Sequence, residues 1–130
     1  MFENIYEFPA LGKQILVSFT NVNTGDKLKF LLCFGKKRMS FRSVGNNDCQ
    51  GNTSKDTVDY IATMINPGIW LVKWKENNKN HVVVHVEDFN TGRVWSTIVE
   101  GGENIISLEG KLFLVDDPCE VCEDDEHNDS

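Results

Sequence analysis

The sequence predicts an all-β protein: a single antiparallel up-and-down β-barrel of about eight to nine strands, followed by an acidic tail. Three observations lead there. Eight strand-like stretches follow one another, turn-forming clusters separate them, and no segment shows convincing helical periodicity. The stretches are Gln14–Thr20, Lys27–Phe34, Arg38–Val44, Thr57–Ile65, Ile69–Lys75, His81–Glu87, Arg93–Val99 and Ile105–Val115. Between them stand groups such as Asn23-Thr24-Gly25-Asp26, Asn66-Pro67-Gly68 and Asn90-Thr91-Gly92, whose residues tolerate positive φ or hydrogen-bond their own backbone. Short connections favour neighbouring antiparallel strands, and closure hides the edges that an open sheet would expose. Eight strands leave an interior wide enough for one small ligand.

A chain of 130 residues, 40% hydrophobic and 25% charged, is expected to form one domain with one core. We expect that domain to span 1–116, with a disordered acidic tail at 117–130. The tail holds Glu120, Glu123, Asp124, Asp125, Glu126 and Asp129 with no Lys or Arg, and so carries much of the net charge of −7. An acidic balance without a basic stripe excludes nucleic acid as a partner, because phosphate binding needs one. No run of about 18 apolar residues crosses a membrane. The start Met1-Phe-Glu-Asn-Ile-Tyr-Glu7 lacks a basic n-region, and a cytoplasmic location is the expectation. Reduced thiols follow for Cys33, Cys49, Cys119 and Cys122. The pair Cys119-Glu-Val-Cys122 has metal or redox spacing, but only His127 stands near it as a further ligand. The polar stretch from Gly45 to Asp56 is either a lid over the barrel mouth or a plain long connection. Residues 1–11 are expected to plug the closed end.

The central hairpins allow the interior to be read. A four-residue loop at Asn77–Asn80 sets Glu76 opposite His81, Trp74 opposite Val83, Val72 opposite His85 and Trp70 opposite Glu87. Directly opposed residues share a face. A three-residue loop at Asn90–Gly92 would set Glu87 opposite Trp95 and His85 opposite Thr97. One face then carries Trp70, Trp74, Trp95, Val72, Val83, Val99 and Thr97 with Glu76, His81, His85 and Glu87. Aromatic walls with a few ionisable groups make a ligand pocket. The expected binding residues are therefore Trp70, Trp74, Trp95, His81, Glu87 and Thr97, with Glu76 and His85 as the candidates for any acid–base chemistry. The plain alternative is that the tryptophans are core and the charged groups a wet rim. His81, His85 and Glu87 alternate on one strand as metal ligands can, but neither a metal nor a cofactor is assigned.

The opposite face reads Ile69, Leu71, Val82, Val84, Val86, Val94 and Ile98, with Lys73 and Lys75 toward one end. So apolar an exterior marks an interface, and a homodimer through it is expected. Light scattering at micromolar concentration should then report the mass of two chains, and a monomeric mass would overturn the expectation.

Two segments resemble a known family. Pro67-Gly-Ile-Trp-Leu-Val-Lys-Trp-Lys-Glu76 and His81-Val-Val-Val-His-Val-Glu-Asp-Phe-Asn-Thr-Gly-Arg-Val-Trp-Ser-Thr-Ile98 are similar to the core of the MoaF-like domain. The resemblance extends upstream through Gly12–Phe19 and Leu28–Arg42. It implies a calycin, or lipocalin-like, barrel and little about function. The same segment resembles the phenolic acid decarboxylases, cofactor-independent barrel enzymes in which a pocket Glu acts on the substrate double bond. That resemblance places Glu76 at the position of the Glu. It also shows departures, with Val17 and Phe19 where those enzymes carry tyrosines and Gln50-Gly-Asn-Thr-Ser-Lys55 where they carry an essential Arg.

Three functions remain open on these grounds. The first is a barrel that holds a small organic molecule, without catalysis. The second is a cofactor-independent lyase or isomerase with Glu76 as general acid/base and His85 or His81 assisting. The third is a structural or interaction protein with a filled interior.

Overall fold

Alternation of apolar and polar residues turns each strand into a two-faced ribbon, and burying the apolar faces together curls the ribbon set into a closed barrel. The computed structural model describes residues 7–44, 56–76 and 80–115. It contains β1 (Gln14–Asn21), β2 (Lys27–Phe34), β3 (Arg38–Ser43), β4 (Asp56–Asn66), β5 (Ile69–Glu76), β6 (His81–Asp88), β7 (Arg93–Glu100) and β8 (Asn104–Val115). Each strand pairs antiparallel with the next, and β8 returns to pair with β1. The expected up-and-down barrel is therefore the fold.

Inward positions include Ile15, Val17 and Phe19 of β1, Leu32 and Phe34 of β2, Met39 of β3, and Trp70, Val72 and Trp74 of β5. Leu108 and Leu112 of β8 complete the circuit. Closure depends on one small residue. Gly110 pairs with Phe19 on one side and Val94 on the other. A Cβ at Gly110 would overlap the Ser18 carbonyl, because β1 crosses β8 at backbone distance there.

One end is stoppered by aromatic rings. Phe8 meets Phe34 (5.0 Å between centroids), Trp70 (5.3 Å) and Phe89 (5.8 Å), each edge to face. The segment behind Phe8 is pinned by a parallel bridge between Leu11 and Phe34 and by the Gly12 N–H donating to the Phe34 carbonyl at 2.7 Å. Two turns join beneath the plug. Phe89 N–H donates to the Gly68 carbonyl at 2.8 Å, and the Asn90 side-chain amide donates to the Pro67 carbonyl at 3.0 Å. Gly68 has φ 84°, and the Asn90 side chain occupies the space a Cβ would need. The expectation of a plug thus holds for residues 7–11, while residues 1–6 lie outside those described. So do 45–55, 77–79 and 116–130, which include most of the expected lid, Cys49, Cys119, Cys122, His127 and the acidic tail.

Two expectations are corrected. The first is the register of β6 and β7. The β5–β6 pairing is as expected, with Glu76 opposite His81 and Trp70 opposite Glu87. In the next hairpin Asp88 pairs with Arg93, so His85 faces Ser96 and Glu87 faces Val94. The loop takes in Phe89, because the Asp88 carboxylate accepts the Asn90 and Thr91 N–H groups (2.9 and 3.2 Å) and ends the strand. A one-residue slip reverses every side chain. Trp95, Thr97 and Val99 therefore point out of the barrel, and Arg93 lies over the Trp95 ring at 4.9 Å. Val94, Ser96 and Ile98 point in. The expected dimer face keeps Ile69, Leu71, Val82, Val84 and Val86 but loses Val94, which is wholly buried, and Ile98, which lines the interior. The second correction concerns thiols. Cys33 is disulfide-bonded, not reduced, and its partner lies outside the described residues. Disulfides persist in oxidising compartments and are rare in the cytosol, so this bond runs against the reasoning that led to reduced thiols. Among the described residues no helix is long and apolar enough to cross a membrane.

Gly110→Ala should lower unfolding free energy by about 3 kcal/mol or more, because overpacking here must move backbone. Urea denaturation measures the change. A loss under about 1 kcal/mol would show that the β1–β8 seam yields easily.

Candidate functional site

Above the aromatic plug the interior is hollow. A cavity of about 50 Å³ is lined by Phe19, Phe30, Phe41, Trp74, Val83 and Ile98, with Val17, Leu32 and Leu108 behind them. The polar groups on its wall are Glu76, His85 and Ser96. A single water needs only ~10–15 Å³ by this measure, so there is space for more than a water.

Strand geometry explains how these groups arrive. Trp74 and Glu76 are two apart on β5 and share its inner face, and Trp74 Nε1 donates to Glu76 Oε2 at 3.1 Å. Opposite them His81 begins β6. Its Nδ1 lies 3.5 Å from Glu76 Oε1 and its Nε2 lies 3.5 Å from Glu100 Oε2 on β7. An imidazole thus stands between two carboxylates at the mouth. Glu76 stays mostly covered, with 12% of its side chain exposed, while Glu100 is 36% exposed.

One layer deeper sits a second pair. His85 Nδ1 is 2.9 Å from Glu87 Oε2, and the residues are 3% and 0% exposed. With the carboxylate ionised, Nδ1–H donates, and ring geometry then directs Nε2 away from Glu87. Trp74 and Phe19 meet this imidazole edge to face at 4.8 and 5.6 Å, which fixes the plane of the ring. Glu87 Oε1 and Trp70 Nε1, on directly paired residues, are buried without a hydrogen-bond partner among the described residues. Such orphans cost about 1–3 kcal/mol each. Below them the Tyr60 hydroxyl donates to the Gly35 carbonyl at 2.5 Å. Burial raises the Tyr60 pKa above its ordinary value, and the nearby Glu87 charge raises it further.

Of the sequence-derived candidates, the structure brings Trp74, Glu76 and His85 onto the cavity wall. His81 joins them at the mouth through Glu76. Trp70 and Glu87 lie inside but deeper, Trp70 against Phe8 and Glu87 behind His85. Trp95 and Thr97 do not join the site, because they face outward. No group of three or more His, Cys, Asp or Glu among the described residues is placed to hold a metal, and His81 stands apart from the His85–Glu87 pair. Sequence reasoning missed Ser96 and Glu100 through the register slip. It also missed Phe19, Phe30 and Phe41 as wall residues, although alternation in Gln14–Thr20, Lys27–Phe34 and Arg38–Val44 already put them on inward faces.

Fold and cavity together define the class: a closed eight-stranded up-and-down barrel whose interior is plugged at one end and hollow at the other. The MoaF-like family model matches residues 12–113, and the chain belongs to that family. Among solved structures it is similar to a proposed beta-lactamase from Burkholderia vietnamiensis, with a TM-score of 0.68 and 19% identity over 83% of this chain and 97% of that one. At that identity the likeness is one of fold. No curated protein matches the chain.

A raised folded-state pKa at Tyr60 favours the protonated hydroxyl in the native protein, so its contribution to stability is complete below the unfolded value near 10 and is lost as pH rises through the folded value. Stability should therefore fall above pH ~10, and Glu87→Gln should move the Tyr60 transition down towards its usual range. Ultraviolet titration of tyrosinate reads both. An unchanged transition in Glu87→Gln would show that Glu87 does not act on Tyr60.

Proposed function

We propose that the barrel is a binding module that holds one small organic molecule in the hollow half of its interior, without a cofactor. The observation that supports this is the cavity itself: apolar, largely aromatic walls that converge on Glu76, His85 and Ser96. A packed β-barrel core of this strand number would fill that space with side chains. Convergent polar groups on an apolar wall are the usual composition of a small-molecule site. Glu87 serves this reading from below by holding His85 in place, and Trp70 by packing against Phe8 to close the plugged end. At about 50 Å³ the enclosed space is smaller than the ~150 Å³ that holds a benzene ring, so a ring-sized occupant projects into the mouth beside Glu76.

A specific contact favours a second reading, in which the same pocket performs acid–base chemistry as a cofactor-independent lyase or isomerase. The His85–Glu87 bond holds an imidazole at the cavity wall in one orientation, as acid–base catalysis requires. In that case Glu76 or His85 would move the proton.

Titration with a panel of single-ring compounds should produce a saturable, one-to-one change in tryptophan fluorescence. Val83→Phe, which fills the cavity, should abolish binding measured by calorimetry. Heat signals unchanged by Val83→Phe would place binding elsewhere and end the proposal. If Glu76→Gln retained binding yet lost turnover of a bound compound, the catalytic reading would prevail.

A further inference from the structure

The chemistry of the cavity wall restricts what can sit there, and the restriction rests on the binding reading above. Among the described residues, the groups lining the cavity include no Lys or Arg. The hydrogen-bonding groups are acceptors in the main. Glu76 offers carboxylate oxygens, and its nearest donor, Trp74 Nε1, is already engaged with Oε2. His85 is committed through Nδ1 to Glu87, which leaves Nε2 as an acceptor in the neutral ring. Ser96 can act either way. While His85 is neutral, an occupant that brings only acceptors, such as a carboxylate, would find Ser96 as the one donor among these three groups.

Charge points the same way. Glu76, Glu87 and Glu100 face two imidazoles, His81 and His85, across the mouth and the layer below. Three carboxylates against two imidazoles leave at least one negative charge whenever the carboxylates are ionised. Anions are repelled in this low-dielectric interior, and cations are attracted.

The rings supply a third, independent observation. Phe19, Phe30, Phe41 and Trp74 surround the cavity. Phe41 and Trp74 are inclined at 40° with centroids 5.9 Å apart, and Phe19 and Phe30 at 58° and 6.4 Å. Any π face that such a ring turns to the hollow is electron-rich. Such faces attract an ammonium group, and aromatic cages are how proteins recognise such ligands.

We infer that the pocket takes a small organic ammonium ion, a protonated amine on an apolar body, with the rings of Phe19, Phe30, Phe41 and Trp74 around it and Glu76 as its counter-ion. N–H groups on the amine reach Glu76 and His85 Nε2, and the body fills the space towards Val83 and Ile98. The arrangement selects against carboxylates, including the aromatic acids handled by the enzymes to which the sequence bears a secondary resemblance.

The test uses the full chain and three probes of nearly equal shape: benzylammonium, benzyl alcohol and benzoate, titrated at pH 7 by calorimetry. Benzylammonium should bind at least about tenfold more tightly than benzyl alcohol, and benzoate should give no measurable heat. Glu76→Gln should bring the affinities for the cation and the alcohol together. Phe41→Leu keeps an apolar wall but removes a π face, and should weaken the cation several-fold while sparing the alcohol. If alcohol or benzoate binds as tightly as the cation, the ligand class is wrong while the binding barrel stands. If none of the three binds, both readings fall. Thermal melts of both variants establish that they are folded, and a cation preference unchanged in both would also overturn the inference.

Discussion

Everything in this molecule hangs on the seam where the last strand meets the first. Eight strands in sequence order would form an open sheet with two unsatisfied edges, and only the β1–β8 pairing removes them. That pairing brings two backbones together at Gly110, where any side chain would strike the Ser18 carbonyl. The pairing partner of Gly110, Phe19, lies with its ring against His85 and helps to hold the imidazole at the cavity wall.

The interior divides into a filled half and a hollow half, and both arise from side-chain size. At the plugged end Phe8, Phe34, Trp70 and Phe89 interlock edge to face, an arrangement favoured by the ring quadrupole as well as by burial. The plug is not part of the barrel wall. It is a segment of chain laid across the opening and held by the backbone bonds around Leu11 and Gly12. Towards the mouth the aromatic residues line the wall instead of meeting at the centre, and space remains between them. The burial of Glu87 at the boundary is costly on its own. Its bond to His85 offsets part of that cost and converts it into orientation, since a ring tied at Nδ1 presents its other nitrogen in a defined direction.

The site therefore has a sign. Carboxylates and aromatic rings dominate it, with His81 between Glu76 and Glu100 and His85 against Glu87, and no Lys or Arg among the described residues lines the cavity. The cavity wall is in this respect rich in acceptors and carboxylate charge. Membership of the MoaF-like family places the fold and the span of the domain.

Strand number, strand limits and the inward faces of β5 and β6 were legible in the residues, because alternation has a period of two and turns announce themselves by Gly, Asn, Asp and Pro. The pairing of Glu76 with His81 could be derived from loop length alone. The β6–β7 register could not. Phe89 looks like a strand residue, and it becomes part of the loop because the Asp88 carboxylate ends the strand, while its ring packs against Phe8. That single residue decided that Ser96 faces the cavity while Trp95 and Thr97 face outward. The disulfide at Cys33 was equally hidden, since bonding depends on the distance between two cysteines in space, which composition does not give. Local sequence determined where strands run and which residues of a strand share a face. Tertiary structure decided which neighbours they met, because a plug, a seam and a cavity are contacts between parts of the chain that sequence order keeps apart.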